Sequence, residues 1–232
     1  MRTLTRQTDE RFPLPVSEKA ILTRAVRRFP KCLRNVPNWF VTEPYELPGS
    51  MYFRSYSPVT LEPLRYDQVD DYVSLDVAMQ TWKDHGHWFD GVGFHVTSPW
   101  VILVVQHCVT PNGSVTRRVK DVIKRLRGYW EFTRNGKDVQ AILSWPNRLQ
   151  SRAGVIAGHP AFLCGEGVCG VTGHVVPGCG GDPLSTDQDA FSVMLYEMAT
   201  KPAVDVLAQL KRDTRGGGRR SENQQLRLFD DL

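Results

Sequence analysis

The chain has 232 residues, 41% of them hydrophobic and 23% charged, with a formal net charge of +4 and a pI near 8.8. That length supports one sizeable core, and the charge balance is compatible with nucleic-acid contact without requiring it. No apolar run approaches the roughly 18 to 20 residues that span a bilayer, the N-terminus lacks the apolar stretch of a signal peptide, and five cysteines do not suit a disulfide framework. A soluble protein of a reducing cytoplasm, with no membrane partner, is expected.

Residues 1 to 16 are polar and read as a loosely held arm. Ser17 to Phe29 reads as a first helix, with Ala20, Ile21, Ala25 and Val26 on one face and Pro30 as its stop. A short strand entry follows from Pro37, and Pro44 to Pro63 reads as turn-rich. Ser74 to Trp82 has the spacing of an amphipathic helix, with Leu75, Ala78, Met79 and Trp82 inward.

Gly91 to Thr97 reads as a strand. After the Ser98-Pro99 turn, Val101 to Val105 reads as a second strand, apolar on both faces and so suited to the middle of a covered sheet. Ser114 to Arg127 is the clearest helix: Val115, Val119, Val122, Ile123 and Leu126 share a face. Arg117, Arg118, Lys120, Lys124, Arg125 and Arg127 occupy the remainder. Tyr129 to Thr133 and Val139 to Leu143 read as a hairpin around Asn135-Gly136. Two short strands flank Gly165-Glu-Gly. Beyond the Gly/Pro-rich passage from Pro177 to Pro183, helices are expected from Ser185 to about Thr200 and from Pro202 to about Arg212. The alternation argues for an α+β or α/β domain over 17–212. Residues 213–232 form a tail that opens with a Gly/Arg-rich linker.

From Asn38-Trp39 onward, the order of features resembles the primase-polymerase domain of phage and plasmid replication proteins, a branch of the archaeo-eukaryotic primase superfamily. The residues that carry the likeness are Phe89-Asp-Gly-Val-Gly-Phe, His107-Cys108 with Pro111-Asn-Gly, Tyr129-Trp-Glu131, Gly165-Glu-Gly and Thr172-Gly-His-Val-Val-Pro-Gly. The resemblance implies an α+β fold with an RRM-like core sheet and flanking helices. It also implies nucleotide polymerisation with divalent metals held by two carboxylates one residue apart on a strand.

Those carboxylate positions are Val104 and Gln106 here. The family's later histidine falls on Gln140, its late-strand carboxylate on Phe162, and a nearby arginine on Val168. Valine cannot ligate Mg²⁺, and a neutral amide is a poor substitute for a carboxylate. No Asp or Glu lies between Pro99 and Gly113, so a register shift does not restore the pair. A domain without catalysis, metal or cofactor is expected, its former nucleotide pocket filled by side chains such as Val104 and Phe162.

Gln225-Leu-Arg-Leu-Phe229 fits the pentapeptide Gln-Leu-x-Leu-Phe that bacterial replication proteins insert into the β sliding clamp. Gln225, Leu226, Leu228 and Phe229 are the expected clamp contacts, with Asp230 and Asp231 facing a basic rim. The alternative is that Leu226, Leu228 and Phe229 fold back on this domain.

Six cations between Arg117 and Arg127, offset by Asp121, make that helix the DNA-binding candidate; plain solvation is the competing use of such a face. Arg215, Arg219 and Arg220 could add affinity. Trp130 and Trp145 could stack bases, although core packing is the commoner use. Cys164, Cys169, His174 and Cys179 are spaced like a loose zinc set. His85 and His87 could share a metal, although a surface turn is the commoner use of such a pair, and Cys108 stands beside His107 on a strand where neighbours point apart.

The expected function is that of a non-catalytic replication accessory protein of a mobile element, docked on the host β clamp at the nucleoid or replisome. Its body would hold DNA or a partner polymerase, primase or helicase. An inhibitor competing for the clamp pocket is the alternative, and an active nucleotidyl transferase with other carboxylates is the third.

Overall fold

A computed structural model describes residues 29–47, 50–64, 71–86 and 88–200. The expected arm, the helices at 17–29 (Phe29 apart) and 202–212, the linker and the clamp-type peptide lie outside the described residues, as do both boundaries of the expected domain.

The fold is α+β, with antiparallel pairing throughout. Strands β1 (Trp39–Leu47), β2 (Ser50–Tyr56), β3 (Gly91–Val96) and β9 (Gly167–Val171) form a four-stranded sheet in the order β2-β1-β3-β9. Strands β4 (Trp100–Val105), β5 (Tyr129–Phe132), β6 (Val139–Ser144), β7 (Arg152–Ile156), β8 (His159–Cys164) and β10 (Val175–Gly180) form a six-stranded sheet in the order β10-β5-β6-β4-β8-β7. Among the described residues four α-helices accompany them: α1 (Lys31–Arg34), α2 (Leu75–Asp84), α3 (Arg117–Leu126) and α4 (Gln188–Thr200).

The six-stranded sheet is covered on both faces. Val101, Leu103 and Val105 of β4 pack with Val119, Ile123 and Leu126 of α3 and Phe191, Met194 and Met198 of α4. Alternation turns Trp100, Ile102 and Val104 to the other face. There they join Trp39, Val92, Phe94 and Val171 of the four-stranded sheet and Leu75, Ala78, Met79 and Trp82 of α2. The apolar run of β4 therefore occupies a central strand, as its composition requires: each face buries its own set of side chains. Full burial of an aliphatic side chain of this size contributes about 1.5–3 kcal/mol.

Several elements differ from expectation, each for a local reason. The stretch read as turn-rich is the β1–β2 hairpin, which accommodates Pro44. The Thr42 carbonyl points towards β3, accepting from Asp90 N–H at 2.9 Å, so by alternation the Pro44 nitrogen points the same way. β3 pairing has ended by then, at Thr42, and the missing N–H forfeits no ladder bond. β7 escaped notice because its turn to β8 is Ala157-Gly158, with both residues at positive φ (54° and 86°), where Asn-Gly is the usual signal. β10 runs through the Gly/Pro-rich passage as an irregular edge strand paired to β5. Helix α3 starts at Arg117, because Val115 bridges back to Val109. Likewise α4 starts at Gln188, after a 3₁₀ turn at Pro183–Ser185 capped by Asp182.

Gly93 in β3 marks a close approach between strands and rings. A Cβ there would overlap the Phe40 ring and stand 2.9 Å from the Cys169 carbonyl oxygen. Gly93→Ala is expected to cost about 1–3 kcal/mol through overpacking, read from the urea midpoint; an unchanged midpoint would contradict the β1–β3–β9 packing.

Candidate functional site

Three of the sequence-assigned positions come together. Val104 on β4 lies directly opposite Gln140 on β6 and Phe162 on β8. Cross-strand partners share a face, so these side chains form one row, on the side turned towards the four-stranded sheet. The row continues to Glu131 on β5, the partner of Gln140, and to Ala153 on β7, the partner of Phe162. Val104 and Phe162 are half-buried, and Gln140 is buried. Gln106 lies just past the end of β4, its N–H donating to the Pro160 carbonyl at 2.8 Å. Val168 sits apart from the row, on β9 opposite His95.

Beside this row is a buried polar network that the sequence reading missed. The Glu131 side chain is 1% exposed and accepts four hydrogen bonds. Oε1 receives Gln140 Nε2 (2.5 Å) and the Thr172 N–H (3.0 Å); Oε2 receives the Tyr129 hydroxyl (2.9 Å) and the Gly173 N–H (2.8 Å). Successive amides of Thr172 and Gly173, the latter at φ +67°, form a small concave donor set that suits a carboxylate. Gln140 Nε2 also donates to the Gly170 carbonyl at 2.6 Å, which joins the two sheets. A second tie runs from Arg134 in the β5–β6 turn to Asp90 ahead of β3, at 2.5 Å.

Burial pushes the Glu131 carboxyl above the ordinary glutamate range, while its four donors pull it back. The Tyr129 hydroxyl is held well above its usual value by burial and by the adjacent carboxylate. The signal in the sequence was a single acid inside Tyr-Trp-Glu-Phe, a strand apolar on both faces. Two of its donors, the Thr172 and Gly173 amides, lie some forty residues away and left no local trace.

The basic helix lies on the opposite face of the six-stranded sheet. Val119, Val122, Ile123 and Leu126 of α3 face the core, and Arg117, Arg118, Lys120, Lys124, Arg125 and Arg127 are all exposed. Among the described residues none of the six forms an ion pair. The first turn of α3 contains no acid, and the Thr116 side chain does not cap it; that hydroxyl instead meets His159 Nε2 at 3.3 Å. Cations at the positive end of an uncapped helix oppose its dipole.

The weaker candidates dissolve into packing. Trp130 is fully buried, and its indole N–H donates to the Arg127 carbonyl. Trp145 stacks on Phe191 at 4.7 Å. Cys108 is buried, donates to the Val105 carbonyl, and has a thiol pushed up to about 11 by burial, whereas His107 is exposed. Cys169 is buried on β9 of one sheet, Cys179 stands on β10 of the other, and Cys164 donates to the Glu166 carbonyl at 2.8 Å. Among the described residues no group of three or more His, Cys, Asp or Glu side chains is placed to hold a metal ion. His85 stacks on Trp88; His87 lies outside the described residues. No described helix is long and apolar enough to cross a membrane. Compared with known proteins, the chain matches no family model and no curated relative.

Glu131→Gln tests the buried network. The new amide NH₂ must oppose at least one N–H donor, so the variant is expected to lose about 2–3 kcal/mol in urea unfolding. Folding raises this pKa, so the group favours the native state most in acid. That contribution is lost as pH rises from the ordinary glutamate range through the raised value. Glu131→Gln is expected to remove this limb of the stability–pH curve; an unchanged curve and midpoint would show that the carboxylate is not enclosed as described.

Proposed function

We propose that this chain is a non-catalytic accessory protein of DNA replication in a bacterial mobile element. In this reading it is an inactive primase-polymerase-type domain that docks on the host β sliding clamp through Gln225-Leu-Arg-Leu-Phe229. One observation carries the part that concerns the body. The positions matched to the family's first carboxylate, its histidine and its late carboxylate are Val104, Gln140 and Phe162, which are cross-strand partners in a single row. An alignment that matched features by accident has no reason to bring residues so distant in sequence into one register. The row supplies an aliphatic side chain, an aromatic one, and an amide already bonded to Glu131 and Gly170. Glu131 is the carboxylate of that row, and its two oxygens are occupied by four donors. This favours a scaffold over a nucleotidyl transferase that uses other carboxylates.

The clamp contact rests on the chemistry of the tail. Leu228 and Phe229 are large apolar side chains beside Asp230 and Asp231. Burying the two in a partner's pocket contributes about 3–6 kcal/mol before ordering costs. Gln225 supplies both a donor and an acceptor to orient the peptide. The linker of about a dozen residues reaches on the order of 20 Å, so the body stays free to hold DNA or a partner polymerase, primase or helicase.

Purified β clamp is expected to bind the full chain with micromolar or tighter affinity, and Leu228→Ala/Phe229→Ala to abolish it. Clamp binding that survives the double substitution would remove the tail from the proposal. Template-directed synthesis with Mn²⁺ and labelled nucleotides is expected to give no product; incorporation that is lost in Glu131→Gln would restore the enzyme reading. Growth arrest on overexpression that Phe229→Ala relieves would place the protein among inhibitors of host replication rather than recruiters.

A further inference from the structure

The outward side of α3 is basic across its whole width. Arg118 lies towards the β7–β8 turn, where its guanidinium stands 3.9 Å from the place a Cβ on Gly158 would take. On the opposite flank Lys120 and Lys124 stand near Cys179 on β10, close enough for their charges to act on its thiol. Arg117 and Arg125 complete the helical surface, which with side chains is about 10–12 Å across. Asp121 is its one acid.

This arrangement works against the helix that carries it. Lys120 faces like charges at Arg117 and Lys124, and the single acid Asp121 is shared among four cations at the attractive spacings, Arg117, Arg118, Lys124 and Arg125. Arg117, Arg118 and Lys120 crowd the first turn, where the helix dipole favours acids, and none of them has an ion-pair partner among the described residues. A merely solvated face needs no such concentration of one sign. A partner that carries regularly spaced negative charge turns the same repulsion into attraction.

We infer that the outer face of α3 binds the phosphodiester backbone of duplex DNA, on the side of the six-stranded sheet away from the Val104–Gln140–Phe162 row. This deepens the proposed role of the body and rests on that reading only for its setting in replication. Backbone recognition of a duplex follows from what accompanies the cations. Single strands are held by aromatics that stack on their bases, but α3 carries no aromatic, Trp130 is buried and Trp145 stacks on Phe191; the exposed Tyr196 stands on α4. Sequence-independent contact is therefore the mode, with α3 as a grip on phosphates while the row on the other face takes no part.

The test measures fluorescence anisotropy of a labelled random-sequence duplex with the full chain, across a salt series. Two variants, Lys120→Glu/Lys124→Glu and Arg117→Glu/Arg118→Glu, are compared by anisotropy, urea midpoint and clamp binding. The wild-type affinity is expected to fall steeply with salt. Each double reversal is expected to weaken binding at least tenfold at about 100 mM salt and to flatten the log–log slope by about 2. Arg117→Glu/Arg118→Glu is expected to keep or raise the urea midpoint, because acids replace cations in the first turn. Duplex binding that neither reversal weakens would overturn the inference, as would equal affinity for a single strand of the same length or loss of affinity only in step with loss of folding. Clamp binding is expected to be unchanged in both variants. Clamp binding without any duplex binding would overturn this inference alone, and duplex binding without clamp binding would overturn the tail reading alone.

Discussion

A carboxylate taken fully out of water must find its hydrogen bonds inside the protein, and at Glu131 that requirement organises the molecule. Its four donors come from its own strand, from β6 and from the loop between β9 and β10. The chain leaves the four-stranded sheet at Val171 and enters the six-stranded sheet at Val175. Thr172 and Gly173, the residues that make this passage, present the amides. Thr172 also donates its hydroxyl to the Phe132 carbonyl at 2.6 Å, and Phe132 N–H reaches the His174 carbonyl. The crossing point is thus held to β5 from both sides, and Gln140 adds a direct bond to β9. Remove the carboxylate and the crossing loses its common acceptor.

With the sheets held in this way, the two faces of the six-stranded sheet have different characters. One meets the four-stranded sheet and contains the row of Val104, Gln140 and Phe162; the other carries α3 and α4. β4 separates the two environments as an entirely apolar strand. A ligand on α3 and a ligand near the row would lie on opposite sides of a packed layer of side chains. That geometry keeps the Val104, Gln140 and Phe162 row apart from the basic side of α3.

Local chemistry made part of this legible in the sequence. β4 announced itself by composition, α3 by its apolar period and the β5–β6 hairpin by Asn135-Gly136, whose glycine is at φ +66°. The row was not legible: Val104, Gln140 and Phe162 are singled out in the sequence only as positions implied by a resemblance, and their cross-strand pairing appears only in the structure. What remained hidden depended on distant partners or unusual turns. Pro44 reads as a breaker until the point where β3 ends is known. Ala157 carries no sign of its positive φ. The two backbone donors of Glu131 come from residues whose own sequence, Thr-Gly-His, marks only a turn. The tail peptide and the helix expected at 202–212 are patterns of the sequence that lie outside the described residues.

The sheet order β2-β1-β3-β9 also bears on synthesis. β3 pairs with β9, more than seventy positions later in the chain, and the whole run from β4 to β8 is made in between. On the ribosome, β1, β2 and β3 emerge first as an open sheet, with the flank of β3 unpaired until β9 follows. Loops of this length close slowly, and an uncovered strand edge invites foreign pairing meanwhile. Completion of the sheet begun by β1, β2 and β3 is therefore coupled to synthesis of β9, and a truncation before Gly167 leaves an exposed edge rather than a smaller domain.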